Sequence, residues 1–240
     1  MSQETSNCAR FALPLAAALA VLTVFNLPAG AAEKGEALAV ALDYLETHRD
    51  ALGLADGDLA DVVVSDSYTS RHTGTRHVYL QQRFAGIEIK NAILNLAIAA
   101  NGTVAHVGNR FVADLERRTD DAAPALSAIA AVERAASVLA LGAPENLWVL
   151  EQTARPDRRA LLSDGGISLE DIPARLVYQP LANGRLRLAW DLAIYQLDQQ
   201  HWWSVRIDAE SGHLLDRNDW VADESYEVYP IPVESPHHAA

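Results

Sequence analysis

Cysteine and methionine are almost missing: the 240-residue chain has one of each. The single thiol, Cys8, lies in front of an N-terminal apolar stretch that reads as an export signal. It precedes that stretch, so it is not placed as a lipid-attachment cysteine. After cleavage the protein would hold no thiol, which removes disulfides, thiolate metal sites and cysteine catalysis together. Strings that carry other chemistries are also missing. There is no His-Glu-x-x-His, which would place two zinc-ligating imidazoles one helical turn apart with a general base between them. There is no Gly-x-Ser-x-Gly nucleophile elbow and no phosphate-cradling Gly-rich loop. Positive charge is scarce, with 19 Lys and Arg against 32 Asp and Glu and a net charge of -13. That balance disfavours nucleic acid and anionic membrane surfaces and leaves a basic partner open.

No apolar run reaches the roughly 20 residues that a membrane span requires. The longest, Phe11 to Leu27, follows Arg10 and is broken by Pro14, Thr23 and Asn26. Ala29-Gly30-Ala31 then offers a small-x-small cleavage site before Ala32. Residues 1–31 are therefore expected to be a signal peptide. The remainder is expected to be secreted, extracellular or periplasmic, with no stable membrane anchor.

What is present is a patterned chain. Five Trp, seven Tyr and four Phe suggest a packed core. Gly35 to Leu54 has helical spacing through Ala37, Leu38, Ala41, Leu42 and Leu45, and Gly53 suits its end. Asp61 to Tyr68 reads as a strand. Arg76 to Phe84 alternates, with Val78, Leu80 and Gln82 on one face and Tyr79 and Gln81 on the other. Ala85-Gly86 breaks it, and Ile87 to Ala99 extends again. Asn101-Gly102 predicts a two-residue type I′ hairpin returning through Thr103 to Val112.

A second unit follows the polar segment Glu116 to Asp121. It has a helix over Ala125 to Leu141, closed by Gly142 and Pro144, and a strand over Leu147 to Leu150. Arg155 to Asp171 reads as a long loop. Strands are expected over Ala174 to Gln179, Arg185 to Gln196, His201 to Asp208 and Gly212 to Val221. Each half ends in a strand, a tight Gly turn and a returning strand, which suggests an internal duplication. The Pro-punctuated segment 222–240 reads as an extended linker or tail. The expected fold class is α+β: two modules, each a helix packed on an antiparallel β-sheet meander. The expected core holds Leu42, Leu80, Ile89, Leu96, Ile98, Ile129, Val132, Trp190, Val205 and Ile207.

Candidate sites are few. The eight histidines form no ligand pair on a predicted helix, and His237-His238 side chains diverge, so no metal site is expected. Asp191, Asp198, Asp208, Asp216 and Asp219 fall on different strands and turns and read as a solvated acidic rim. Asn101-Gly102-Thr103 is formally a glycosylation sequon, but its turn chemistry accounts for it. Trp202 and Trp203 are adjacent on a strand, so one can fill the core while the other stays exposed as a binding anchor; covering of both by strand or tail packing is equally open.

These residues carry a resemblance. Tyr79-Leu80-Gln81-Gln82-Arg83-Phe84-Ala85-Gly86-Ile87-Glu88-Ile89, followed by Leu94 to Val107 with its Asn-Gly turn, resembles the fungalysin/thermolysin propeptide (FTP) motif. Leu188 to Leu192, with Trp202-Trp203-Ser204-Val205-Arg206-Ile207-Asp208-Ala209-Glu210-Ser211-Gly212, is similar to the PepSY-like second module of fungalysin-type precursors. Tyr226 to Pro236 resembles the junction leading to their catalytic domain. The resemblance implies an FTP-like module at 32–115, a PepSY-like module at 116–221 and a linker at 222–240. Gln82, Phe84, Trp202, Trp203, Tyr226 and Tyr229 become candidate binding residues, with no catalytic residue among them.

In that family the precursor region assists folding of a zinc endopeptidase and blocks it until cleaved. This chain has no positions matching the zinc ligands or catalytic Glu, so it is expected not to be an enzyme and to need no cofactor. Zinc would belong to the absent catalytic domain. Three readings follow. The first is a propeptide-like inhibitor and folding assistant whose partner is a secreted metallopeptidase in cis or in trans. The second is a truncated precursor missing its catalytic domain. The third is a secreted envelope or adhesion module that reuses the fold.

Overall fold

The computed structural model describes residues 29–119 and 123–221. Most of the expected signal peptide, residues 1–28, and the whole of 222–240, including Tyr226 and Tyr229, lie outside them. The fold is α+β. Ten strands join in one sheet ordered β1-β2-β3-β7-β8-β9-β10, with β4 on β3 and β6 and β5 branching from β7. The strands are β1 Val62–Thr69, β2 Arg76–Phe84, β3 Ile87–Ile98, β4 Val104–Asn109 and β5 Val149–Gln152. They continue as β6 Ala160–Leu162, β7 Ile172–Pro180, β8 Leu186–Tyr195, β9 Trp202–Asp208 and β10 Leu214–Asp219. The helices are α1 (Ala29–His48), the short α2 (Leu115–Arg118), which follows β4, and α3 (Ala128–Val138). Among the described residues no helix is long and apolar enough to cross a membrane.

The core has two clusters. In one, Ala41 and Leu45 of α1 pack with Val78, Leu80, Leu94, Leu96 and Ile98 of β2 and β3. In the other, α3 presents Ala128, Ala131, Val132, Ala135 and Ala136 to Leu176, Trp190, Leu192, Val205 and Ile207. Small alanines let the helix approach the sheet closely, so Trp190 fills the space between them. Of the ten expected core residues, Leu42 and Ile129 are only half-buried, each packed on the edge of its cluster.

The strands are not all antiparallel as expected. β3 and β7 meet in parallel, with Ile89 opposite Tyr178. Phe84 seals this seam by an edge-to-face contact with Tyr178 at 5.9 Å. Gly86 is required beside it. Its φ is +80°, and a Cβ there would stand 2.8 Å from Pro156 Cγ, closer than side chains tolerate.

Several expected boundaries shift for identifiable reasons. α1 begins at Ala29, through the expected cleavage position, and ends at His48; a 3-10 turn over Asp50–Leu52 and left-handed Gly53 follow. α3 starts later than expected because the Ser127 side chain accepts the Ala130 N–H as its N-cap. At its end Ala140, not Gly142, closes the helix in the left-handed conformation, with N–H groups of Ala140 and Leu141 on the carbonyls of Ser137 and Ala136. The Asn101-Gly102 turn is not type I′, since Gly102 takes a positive φ and Asn101 does not. Ala99 and Thr103 close a three-residue loop, and Leu181 and Arg185 repeat it around Asn183-Gly184. The expected long loop Arg155 to Asp171 contains β6, whose short apolar run pairs with β5 and β7.

Candidate functional site

The motif residues of β2 turn inward. Gln82 is fully buried, and its side chain ties three chain segments. Its Nε2 donates to the carbonyls of Asp58 (3.1 Å) and Val112 (2.9 Å), and its Oε1 accepts the Val112 N–H at 2.8 Å. Neighbouring Gln81 bridges a bulge in β3. Its Nε2 donates to the carbonyls of Ile89 (2.8 Å) and Ala92 (3.1 Å). Asn91, at φ +61°, opens that bulge and moves the interior set of β3 from Ile87 and Ile89 to Ala92, Leu94, Leu96 and Ile98. Gln81 thus satisfies backbone carbonyls at the β3 bulge, and Gln82 satisfies backbone groups of two segments outside the strands. Gln82 and Phe84, offered by the sequence as binding residues, are occupied with holding the fold.

The tryptophans separate as strand geometry requires. Trp203 is half-buried at the edge of the α3 cluster. It stacks on His201 (4.8 Å), lies beneath Arg217 (5.5 Å) and donates from Nε1 to Gln196 (3.2 Å). Trp202 points to the other face and is 38% exposed, stacked on Tyr195 at 5.3 Å and meeting Trp220 edge-on at 5.3 Å. Neither anchors the second core; Trp190 does, at 1% exposure. Trp220, unremarked in the sequence, is half-exposed and completes the aromatic group.

On the face that carries Trp202, charges cross five strands. Arg175 of β7 pairs with Glu88 of β3 (2.6 Å) and approaches Asp191 of β8 (3.4 Å). Lys90 of β3 also reaches Asp191, at 3.0 Å. Arg206 of β9, itself buried, lies 3.7 Å from Asp191 and 2.6 Å from Asp216 of β10. A groove of about 360 Å³ runs beside this ladder, between Lys90, Arg175, Asp191, Ala193 and Trp220. The ladder spans the β3–β7 seam, so it joins the two halves across their parallel contact. Asp191 and Asp216, expected on a solvated rim, are here parts of that ladder. Among the described residues no group of three or more His, Cys, Asp or Glu is arranged to hold a metal ion.

Two further aspartates close the β9–β10 hairpin. Burial pushes the Asp208 carboxyl up, but the N–H groups of Ser211 and Glu210 and the Arg187 guanidinium outweigh it and hold it below the ordinary carboxylate range. Asp219 behaves likewise. Burial raises it, and His201 with the Trp202 and Val221 N–H groups lowers it further. Both folded-state values lie below the unfolded ones. The stabilisation is therefore present above the ordinary carboxylate range and is lost as pH falls through the folded values. Asp208→Asn should be less stable than wild type at pH 6 and should flatten the acid limb of the stability curve. Urea titrations between pH 6 and pH 2 check this; parallel curves for the two proteins would refute it.

With this geometry in place, the sheet β1–β4 has a counterpart. Residues 60–111 match the Fungalysin/Thermolysin Propeptide Motif. The motif covers all four of these strands and both glutamines, while the Gln82 partners Asp58 and Val112 lie just outside its ends. Relatives extend the similarity. The extracellular metalloproteinase MEP of Leptosphaeria maculans is 30% identical over 183 residues, covering 72% of this chain and 27% of that protein. Extracellular metalloproteinase 2 of Phaeosphaeria nodorum is 31% identical over 180 residues, with 72% and 27% covered. The chain thus spans about a quarter of the length of either relative. The chain is thus similar to a propeptide motif over residues 60–111 and to part of two extracellular metalloproteinases over 72% of its length. Among solved structures the Bacillus megaterium YpeB C-terminal domain is similar at 16% identity and a TM-score of 0.34, covering 77% of this chain and 64% of that one.

Proposed function

We propose that this protein is a secreted propeptide-like inhibitor and folding assistant of a fungalysin-type zinc metallopeptidase. The observation that carries the reading is the propeptide motif at residues 60–111, in a chain similar over 72% of its length to an extracellular metalloproteinase. The physical design is compatible with it. A sheet stapled by buried side chains offers a rigid surface, and rigidity lowers the entropic cost of docking. Trp202 and Trp220 stand exposed on it as aromatic anchors of the kind that dominate interfaces. On this reading residues 32–115 form the propeptide-motif module and 116–221 a PepSY-like module. Residues 222–240, with Tyr226 and Tyr229, form a linker toward the partner. The zinc belongs to the peptidase, and this chain supplies surface rather than chemistry. Action in cis, as a region of a longer chain, and in trans are both covered.

The test is inhibition. The purified chain should inhibit the mature MEP peptidase of Leptosphaeria maculans at micromolar concentration or below, and should raise the yield when that enzyme is refolded from denaturant. Neither inhibition nor improved refolding, with this enzyme and with the Phaeosphaeria nodorum one, would sink the proposal.

A further inference from the structure

The groove on the Trp202 face carries an uneven charge. Four ionised side chains line it, and three are cations: Lys90, Arg159 and Arg175 against Asp191. Exposure widens the difference. The side chains of Arg159, Arg175 and Lys90 are 53%, 31% and 22% exposed, and that of Asp191 is 11% exposed. Asp157, the partner of Arg159, is buried and lies 3.4 Å from its guanidinium. Glu88, the partner of Arg175, is not part of the lining. In a chain of net charge -13 this is a local reversal of sign, and it favours an anionic occupant. The face is open to one, because α3 packs on the opposite side of these strands.

The chain carries such an occupant beside the groove. Trp220 forms one wall, and two residues later the segment Ala222 to Pro236 begins. That segment holds Asp223, Glu224, Glu227 and Glu234 and no Lys or Arg. Distance allows it to cross. From β10 the sheet runs through β9, β8 and β7 to β3 and β6. Four steps of about 4.8 Å between strands make roughly 19 Å. An extended chain advances about 3.3 Å per residue, so roughly six residues beyond Val221 reach the far wall.

We propose that Ala222 to Glu227, the first stretch of the chain's own C-terminal segment, docks across this groove with its carboxylates against Lys90, Arg175 and Arg159. Attachment separates this occupant from a free acidic peptide or the segment of a second copy. A directly joined segment has an effective concentration on the order of millimolar, above that of a secreted partner at micromolar concentration. The contact fixes the root of the segment to the sheet, and residues 228–240 continue from there. The inference goes beyond the function proposed above and holds whether or not the partner is a peptidase.

Zero-length carbodiimide coupling of the full chain, read by peptide mass spectrometry, tests this. Lys34 and Lys90 are the two lysines of the chain, so the products are few. The Lys90–Asp191 pair, at 3.0 Å, should couple in every folded sample and serves as the internal standard. The expected result is an amide from Lys90 to Asp223, Glu224 or Glu227 in the monomer, with little from Lys34. Arg159→Glu, at a half-exposed position, should lower that product at least threefold relative to the standard. Glu224→Gln with Glu227→Gln, which leaves the sheet untouched, should lower coupling at Asp223 likewise. Coupling of Lys90 to Asp191 alone overturns the proposal. So does equal coupling of the segment to Lys34 and Lys90, or a yield that either variant leaves unchanged, since both describe chance encounter. A product confined to covalent dimers assigns the groove to the segment of a second copy and overturns docking within one chain.

Discussion

Replacing Trp190 with Ala is expected to cost about 3–5 kcal/mol of folding stability, the range for removing a large aromatic from a packed core. Trp190 lies in the middle of β8, between β7 and β9, and fills the space left by the alanine face of α3. Its loss opens a cavity lined by Leu176, Val205 and Ile207, side chains fixed in adjacent strands and unable to collapse into it. A second penalty adds to the first. The indole Nε1–H donates to the Leu126 carbonyl at 3.0 Å, just before α3, and Ala leaves that acceptor unpaired. For a domain of this size the change corresponds to a fall in Tm of roughly 6–20 °C. Trp202→Ala is the internal comparison. Its ring is 38% exposed and packs mainly on Tyr195 and Trp220, so a loss of about 1 kcal/mol or less is expected. Urea unfolding followed by far-ultraviolet circular dichroism reads both without depending on tryptophan emission. Equal losses at the two positions would show that Trp190 is not the anchor of this core.

The contrast between these tryptophans marks how far the sequence could be read. Periodicity was sufficient wherever a strand is regular. The alternation of Val78, Leu80 and Gln82 against Tyr79 and Gln81 appears in β2 with the expected ends and the expected buried face. It was insufficient where a strand changes phase. Ile89 and Leu94 are of opposite parity, yet both are buried, because the bulge at Asn91 inserts between them. Nothing in a period-2 pattern announces such a step, although Asn, which tolerates a positive φ, was the residue to suspect. The buried role of Gln82 was half legible. Its position on the apolar face was plain, but a polar residue there invited a binding role. Only the positions of Asp58 and Val112, distant in sequence, show that its amide is used internally. The parallel β3–β7 seam and β6 were not legible, since each depends on long-range pairing between short segments. β5 was legible as a strand, expected over Leu147 to Leu150 and found over Val149–Gln152; that one side of it is unpaired among the described residues is a fact of topology.

Asp58→Ala is expected to be about as damaging as the loss of Trp190, at about 3–5 kcal/mol, though it removes no apolar contact. Asp58 is a buried carboxylate whose two oxygens accept three backbone N–H groups: Ala55 at 2.8 Å, Asp114 at 3.0 Å and Leu115 at 3.0 Å. One of these closes its own 3-10 turn. The other two hold the start of α2, where Asp114 sits in a left-handed conformation that needs support. Each orphaned buried donor costs about 1–3 kcal/mol, less whatever water recovers by entering. Asn in place of Asp should not rescue fully, because its amide nitrogen would face donors and only one oxygen remains to accept. The same node is tied from below by Gln82, whose Nε2 reaches the Asp58 carbonyl. A double-mutant cycle of Asp58→Ala with Gln82→Leu should therefore show coupling rather than additivity. Hydrogen exchange supplies the decisive measurement. The amides of Asp114 and Leu115 should lose protection in Asp58→Ala by more than the global destabilisation accounts for. A stability loss below about 1 kcal/mol, with those amides still protected, would mean that other acceptors replace the carboxylate and that the junction between β4 and α3 is held by packing alone.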